Sequence, residues 1–193
     1  MSASGAPRQK RCCGAEQAQV SAQRSQLKSA IPAVAAPLAH HPTSERLAGY
    51  ALGDCSPGTA LLVARHVAQC AKCAETILRW GSSPPSAWVP PAAKAWRTVS
   101  PGFEMSPVRE VSGLGELVFM VRAAAGARMP GAVAGRIDEF VVLSGGILQG
   151  GQVAGAGDFW LPASHPQGEL VACKKAGLEG LFTTSDEAWE HEG

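Results

Sequence analysis

The chain has 193 residues, enough for one ordinary domain or two small ones, and 46% of them are apolar, enough for a core. A formal charge of +1, with 17% charged residues, projects no strong field toward nucleic acid or anionic lipid. No run approaches the roughly 18 apolar residues of a membrane span, so no membrane contact is expected.

Residues 1–37 are rich in Ala, Ser, Gln, Arg and Lys and read as a disordered tail. The basic run Arg8 to Arg11 is read as solvated rather than as a nucleic-acid contact. The six cysteines are spaced against a disulfide framework. Cys12 and Cys13 are adjacent, Cys70 and Cys73 sit at ligand spacing, and Cys55 and Cys173 stand alone. A reduced, cytoplasmic setting with one metal site fits this better than three bridges.

From Thr43 onward helical signals appear. Thr43 or Ser44 can cap a short helix with Leu47, Tyr50 and Ala51 on one face, ending near Gly53. Ser56-Pro57 supplies a cap followed by proline at the first helical position. The helix it opens is expected to run from Pro57 to Cys70, with Leu62, Val63, His66, Val67 and Cys70 along one face. A third helix is expected over about 72–80, with Ile77 inward, broken by Gly81-Ser82-Ser83-Pro84-Pro85.

His66, Cys70 and Cys73 carry the chemistry. On a helix, His66 and Cys70 at i, i+4 point the same way, and Cys73 follows one turn later. Two thiolates and an imidazole suit tetrahedral zinc, and a closed structural site needs a fourth ligand. The nearest upstream donors are His40 and His41. Taken singly, each residue is ordinary core; taken as H-x3-C-x2-C after a histidine pair, they favour a metal. Such an ion contributes on the order of 10 kcal/mol toward folding a small helical unit.

The run His40-His41-Pro42, then 47–53 (LAGYALG), 61–66 (LLVARH), Cys70 and Cys73 resembles the zinc-binding anti-sigma domain of the ChrR type. The resemblance implies an inhibitor of extracytoplasmic-function sigma factors. It places one structural zinc on His41, His66, Cys70 and Cys73. It also implies that the zinc domain, residues 38–81, wedges between the two main domains of the sigma factor.

Residues 82–101, with Pro84-Pro85 and Pro90-Pro91, read as a linker. From 102 to 193 the rhythm becomes that of short strands between turns, as in a sandwich or barrel. Strands are expected at 116–122, 137–143, 158–161, 170–173 and 181–184, punctuated by Gly145-Gly146, Gly150-Gly151 and Gly155-Ala156-Gly157. Cys173, alternating with Val171, reads as core. Gly126, Ala132, Ala134, Asp138 and Gly145 fall at the intervals of the first cupin motif, and Gly157-Asp158, Pro162 and His165 resemble a shortened second one. ChrR-type proteins carry a cupin in this place, taking part in the response to singlet oxygen or related oxidants. Here alanines occupy both motif histidine positions, and a methyl group donates no lone pair, so no metal is expected in the barrel.

The expected architecture is therefore α+β: a small zinc-anchored all-α N-terminal domain followed by a cupin-like β-barrel, a double-stranded β-helix. The expected function is sigma-factor inhibition without catalysis, leaving the barrel a role in sensing, in small-molecule binding or in packing alone. Two other classes fit the sequence less well. A cupin metalloenzyme of dioxygenase or isomerase type needs the ligands that Ala132 and Ala134 replace. A zinc-dependent DNA-binding regulator needs a basic recognition face, and residues 57–69 hold one arginine, Arg65, and no lysine, so direct nucleic-acid binding is not expected.

Overall fold

The computed structural model describes residues 38–85, 89–91, 93, 95–108, 115–129, 131–162 and 168–185. The tail 1–37, His165 and the residues after 185 lie outside these, as do the expectations placed on them.

Three short helices open the described chain: α1 (Ser44–Leu52), α2 (Pro57–Val67) and α3 (Ala71–Arg79). Each begins where local chemistry dictates. Thr43 Oγ1 accepts the Arg46 amide at 3.3 Å, and α1 ends at Gly53 in the left-handed region, φ 72°. Ser56 Oγ accepts the Thr59 amide at 3.1 Å, with Pro57 in the first turn of α2. The expected helix from Pro57 to Cys70 stops short, at Val67. Both Gln69 and Cys70 amides close on the His66 carbonyl, at 3.0 and 2.9 Å, and Cys70 leaves helical geometry at φ −105°, ψ 99° to become the N-cap of α3. Cys70 thus sits in the corner between two helices rather than on the first.

Among the described residues nine strands follow: β1 (Arg97–Ser100), β2 (Phe103–Pro107), β3 (Leu117–Ala123), β4 (Arg128–Met129), β5 (Glu139–Gln149), β6 (Gln152–Gly155), β7 (Phe159–Trp160), β8 (Leu170–Ala172) and β9 (Leu178–Thr184), with a helical turn α4 (Gly131–Ala134). They pair antiparallel in the order β1-β2-β3-β9-β5-β8-β4, and β6 and β7 also pair with β5. Ser100 Oγ donates to the Arg128 carbonyl at 2.7 Å across the two ends of that path, so the barrel is nearly closed. Among the described residues, no helix is long and apolar enough to cross a membrane.

Three strand expectations need correction. First, β1 lies inside the segment read as a linker. It forms a hairpin with β2 through Pro101-Gly102, where Gly102 (φ 78°) takes the positive φ that a type II turn demands. Second, Gly145-Gly146 does not end a strand; β5 runs through it. The first part of β5 pairs with β7 and β9 and the last part with β6 and β8, and the glycines mark the bend. A Cβ on Gly145 would stand 2.1 Å from the Gly177 carbonyl oxygen, so the crossing requires bare backbone. Third, Leu170 and Ala172 face the interior while Val171 and Cys173 are half-buried, the opposite alternation from the one expected.

Alternation along the strands divides the apolar residues into two cores. Inside the barrel lie Phe119, Phe140, Phe182, Trp160, Met105 and their neighbours, with Phe119 stacked on Phe182 at 5.2 Å between centroids. Outward from the same strands point Val118, Val141, Phe159 and Leu181, which meet Leu47, Leu62, Val63, Val67 and Ile77 of the helices in a second core. The helices therefore lie on the outer face of the barrel. That explains why β5 and β9 carry buried side chains on both sides where the helices cover them: each is sandwiched there.

Polar contacts fix the same interface. Glu116, just before β3, accepts the Ser56 hydroxyl at 2.6 Å and the Gly58 amide at 2.9 Å, so a barrel carboxylate caps the positive end of α2. Glu139 at the start of β5 is buried, pairs with Arg46 of α1 and accepts the Thr59 hydroxyl at 2.9 Å. Burial pushes the Glu139 carboxyl above the ordinary range, against the opposing pull of Arg46 and Thr59.

Candidate metal centre

Four side chains converge where α2 turns into α3. One donor atom from each of His41, His66, Cys70 and Cys73 lies within 4.8 Å of all the others. His66 comes from the buried face of α2, completely inaccessible to solvent, and Cys70 and Cys73 flank the start of α3. His41 arrives from the extended segment ahead of α1, which is tied to the barrel where the Phe159 amide donates to the His40 carbonyl at 3.2 Å. Of the two upstream histidines, His41 reaches the cluster. The His40 ring turns away, edge-on to Trp160 at 4.6 Å, with Nε2 3.0 Å from the Val153 carbonyl oxygen.

The spacing of the four atoms is that of ligands around a shared centre. A tetrahedron with bonds of about 2.05 Å to nitrogen and 2.3 Å to sulfur has edges of roughly 3.3 Å between nitrogens and 3.6 Å between nitrogen and sulfur. Here His41 Nδ1 lies 3.3 Å from His66 Nε2, 3.4 Å from Cys70 Sγ and 3.5 Å from Cys73 Sγ, and His66 Nε2 lies 3.3 Å from Cys73 Sγ. One ring nitrogen makes a single hydrogen bond, so three such neighbours of His41 Nδ1 are better explained by a cation among them. The residues fit zinc, with a donor set of two imidazoles and two thiolates.

Protonation states agree. His66 Nδ1 stands 2.7 Å from the Gly157 carbonyl oxygen, which can only accept, so the proton sits on Nδ1 and the lone pair of Nε2 faces the cluster. Burial lowers the His66 pKa to about 4, keeping the ring neutral and able to ligate. Burial, and next the neighbouring Cys70, push the Cys73 thiol up to about 12, so without a cation it holds its proton. A divalent ion reverses that preference by stabilising the thiolate.

At the cupin-motif positions, Asp138 accepts the Ser185 amide at 2.6 Å through Oδ2, and Ala134 is buried in α4. The sequence reading missed the barrel's contribution to the centre. Gly157 and Asp158 were legible as part of a shortened second cupin motif, but their link to residues more than ninety positions away leaves no local signal.

The fold and site together define a class: three short helices holding a His/Cys metal group, followed by a nearly closed antiparallel barrel. Residues 42–74 match the family described as "Putative zinc-finger", a segment that includes His66, Cys70 and Cys73 and begins one residue after His41. In overall fold the chain is similar to ChrR in the crystal structure of Rhodobacter sphaeroides SigE in complex with the anti-sigma ChrR. That match has a TM-score of 0.58 and 19% identity, over 76% of this chain and 99% of that one. Weaker similarity extends to KdgF from Halomonas sp. (TM-score 0.36, 20% identity, 50% of this chain and 91% of that one). It extends also to an RmlC-like cupin from Shewanella frigidimarina (TM-score 0.35, 16% identity, 49% of this chain and 87% of that one). Comparison with curated protein sequences gives no match.

Proposed function

We propose that the protein is an anti-sigma factor whose zinc-held helices bind and inhibit an extracytoplasmic-function sigma factor. The observation that carries this reading is the likeness in fold to ChrR along nearly that protein's whole length, joined to the His/Cys group in the helices. Zinc here is structural. It fixes the corner between α2 and α3, and His41, His66, Cys70 and Cys73 fill all four positions of a tetrahedron and leave none for substrate. The reading assigns the chain no catalytic role and places it in the cytoplasm with its partner.

The docking surface follows from what the barrel covers. Leu62, Val63 and Val67 face the barrel and are closed to a partner. Ser82 Oγ donates to the Ala51 carbonyl and draws the ends of α1 and α3 together, and near them Leu52, Leu78 and Trp80 are 80%, 54% and 47% exposed. Exposed large apolar groups at one end of a helical module suit a protein partner better than DNA. Arg65, the basic residue of α2, is turned toward the Leu143 carbonyl of the barrel. Inhibition is then competition by mass action: the free sigma fraction falls as complex affinity rises.

Co-expression with candidate sigma factors tests the proposal. Wild-type protein co-purifies with one of them, and the Cys70→Ala, Cys73→Ala double variant does not. Equal recovery with both would mean the metal does not shape the binding surface, and recovery with neither would refute the function.

A further inference from the structure

We propose that the β6–β7 turn of the barrel, through Gly157 and Asp158, is a positioning element of the metal centre and sets its affinity. This rests on the reading of His41, His66, Cys70 and Cys73 as metal ligands.

The turn reaches both histidines. The Gly157 carbonyl accepts the His66 Nδ1 proton at 2.7 Å and so holds the tautomer that presents Nε2. Asp158, 4% exposed, accepts the Ala39 and His40 amides through Oδ1 at 2.8 and 3.0 Å, fixing the backbone that delivers His41. Its Oδ2 accepts the Gly155 amide at 2.8 Å and closes the turn. The turn is anchored in turn to β5: the Gly157 amide donates to the Val142 carbonyl at 2.8 Å, and the Val142 amide to the Asp158 carbonyl at 3.1 Å.

Gly157 suits the turn because its φ of 93° disfavours any side chain, and a Cβ would also press on the ends of the Gln69 and Leu38 side chains. A helical module that supplied its own outer partners to the ligands would need none of this. Here a rigid piece of another element, more than ninety residues on, orients two of the four donors.

Outer partners of this kind typically change metal affinity by roughly 10- to 100-fold. Full-length wild type and Asp158→Asn are compared by zinc competition against a chromophoric chelator and by the absorption spectrum of the cobalt-substituted site. Asn keeps one acceptor oxygen, but its amide nitrogen cannot accept from Gly155. The expected result is zinc affinity lowered roughly 10- to 100-fold with a changed cobalt ligand-field band. Equal affinity and an identical spectrum would overturn the proposal. If wild type itself bound neither ion, the ligand assignment would fail instead.

A second measurement needs no variant. In zinc-loaded wild type, long-range proton–nitrogen NMR should show His66 protonated at Nδ1 with slow exchange, and His41 ligating through Nδ1 with its proton on Nε2. A rapidly exchanging Nδ1 proton on His66, or metal on Nδ1 of that ring, would overturn the role of Gly157.

Discussion

Gly58→Ala is a test of whether α2 is seated on the barrel, because the answer lies in the sign. In an open helix the change to alanine is stabilising by about 1 kcal/mol. Gly58 is in the first turn of α2, buried, and without a positive φ, so its backbone suits alanine. The barrel does not. A Cβ there would lie 2.5 Å from Glu116 Oε2 and 2.7 Å from Val118 Cγ2. Val118 is fully buried and stiff, and Glu116 is held by Ser56 and by the Gly58 amide itself. Overpacking costs about 1–3 kcal/mol, and a bond to a charged group is worth about 1.5–3 kcal/mol. The tighter packing and the disturbed bond add, so the net loss is about 1.5–5 kcal/mol after the gain in helix propensity. For a chain of this size that is a fall in Tm of about 3–20 °C. Thermal unfolding of both proteins, with zinc and with chelator, reads it. The fall should persist under chelation, since the clash is with the barrel and not with the ion. An unchanged or raised Tm would refute the seating of α2 on β3.

Two further outcomes follow from the buried groups. Because burial keeps Cys73 protonated in the absence of a cation, zinc binding near pH 7.5 should release at least one proton per ion. Titration calorimetry in buffers of different ionisation enthalpy measures it, and a buffer-independent heat would contradict it. Glu139 has a folded pKa above its unfolded value, so the folded state binds more protons between the two, and stability from this group is lost as pH rises through that window. Urea unfolding of wild type against Glu139→Gln, both with excess zinc, should show wild type losing ground from acid toward neutral pH. A constant difference would show that the carboxyl is not raised.

What could be read from sequence was local. Thr43, Gly53 and Ser56-Pro57 each act within three or four residues, so the starts of α1 and α2 and the end of α1 were legible. The cluster of His66, Cys70 and Cys73 was legible for the same reason, though the corner at Cys70 was not: the helix period continues through a residue that the backbone has already turned. The β1–β2 hairpin carries a Pro-Gly turn signal, but it adjoins a proline-rich stretch that reads as linker. Non-local features left no trace. The bend at Gly145 exists because another backbone passes at Gly177. Glu116 and Glu139 look like surface acids until α1 and α2 are laid against them.

Glu116 capping α2 from the neighbouring barrel strand has a consequence for how the chain is made. Residues 44–79 leave the ribosome before any strand exists, and β9, which packs under α2, is completed only at Thr184. At 5–20 residues per second this is a wait on the order of ten seconds. For that interval the first helix-forming stretch has neither its floor nor its carboxylate, and only its local caps at Thr43 and Ser56 are within reach. The order of synthesis thus leaves the helices unpacked, and two of the four ligands without their outer partners, until the barrel has closed.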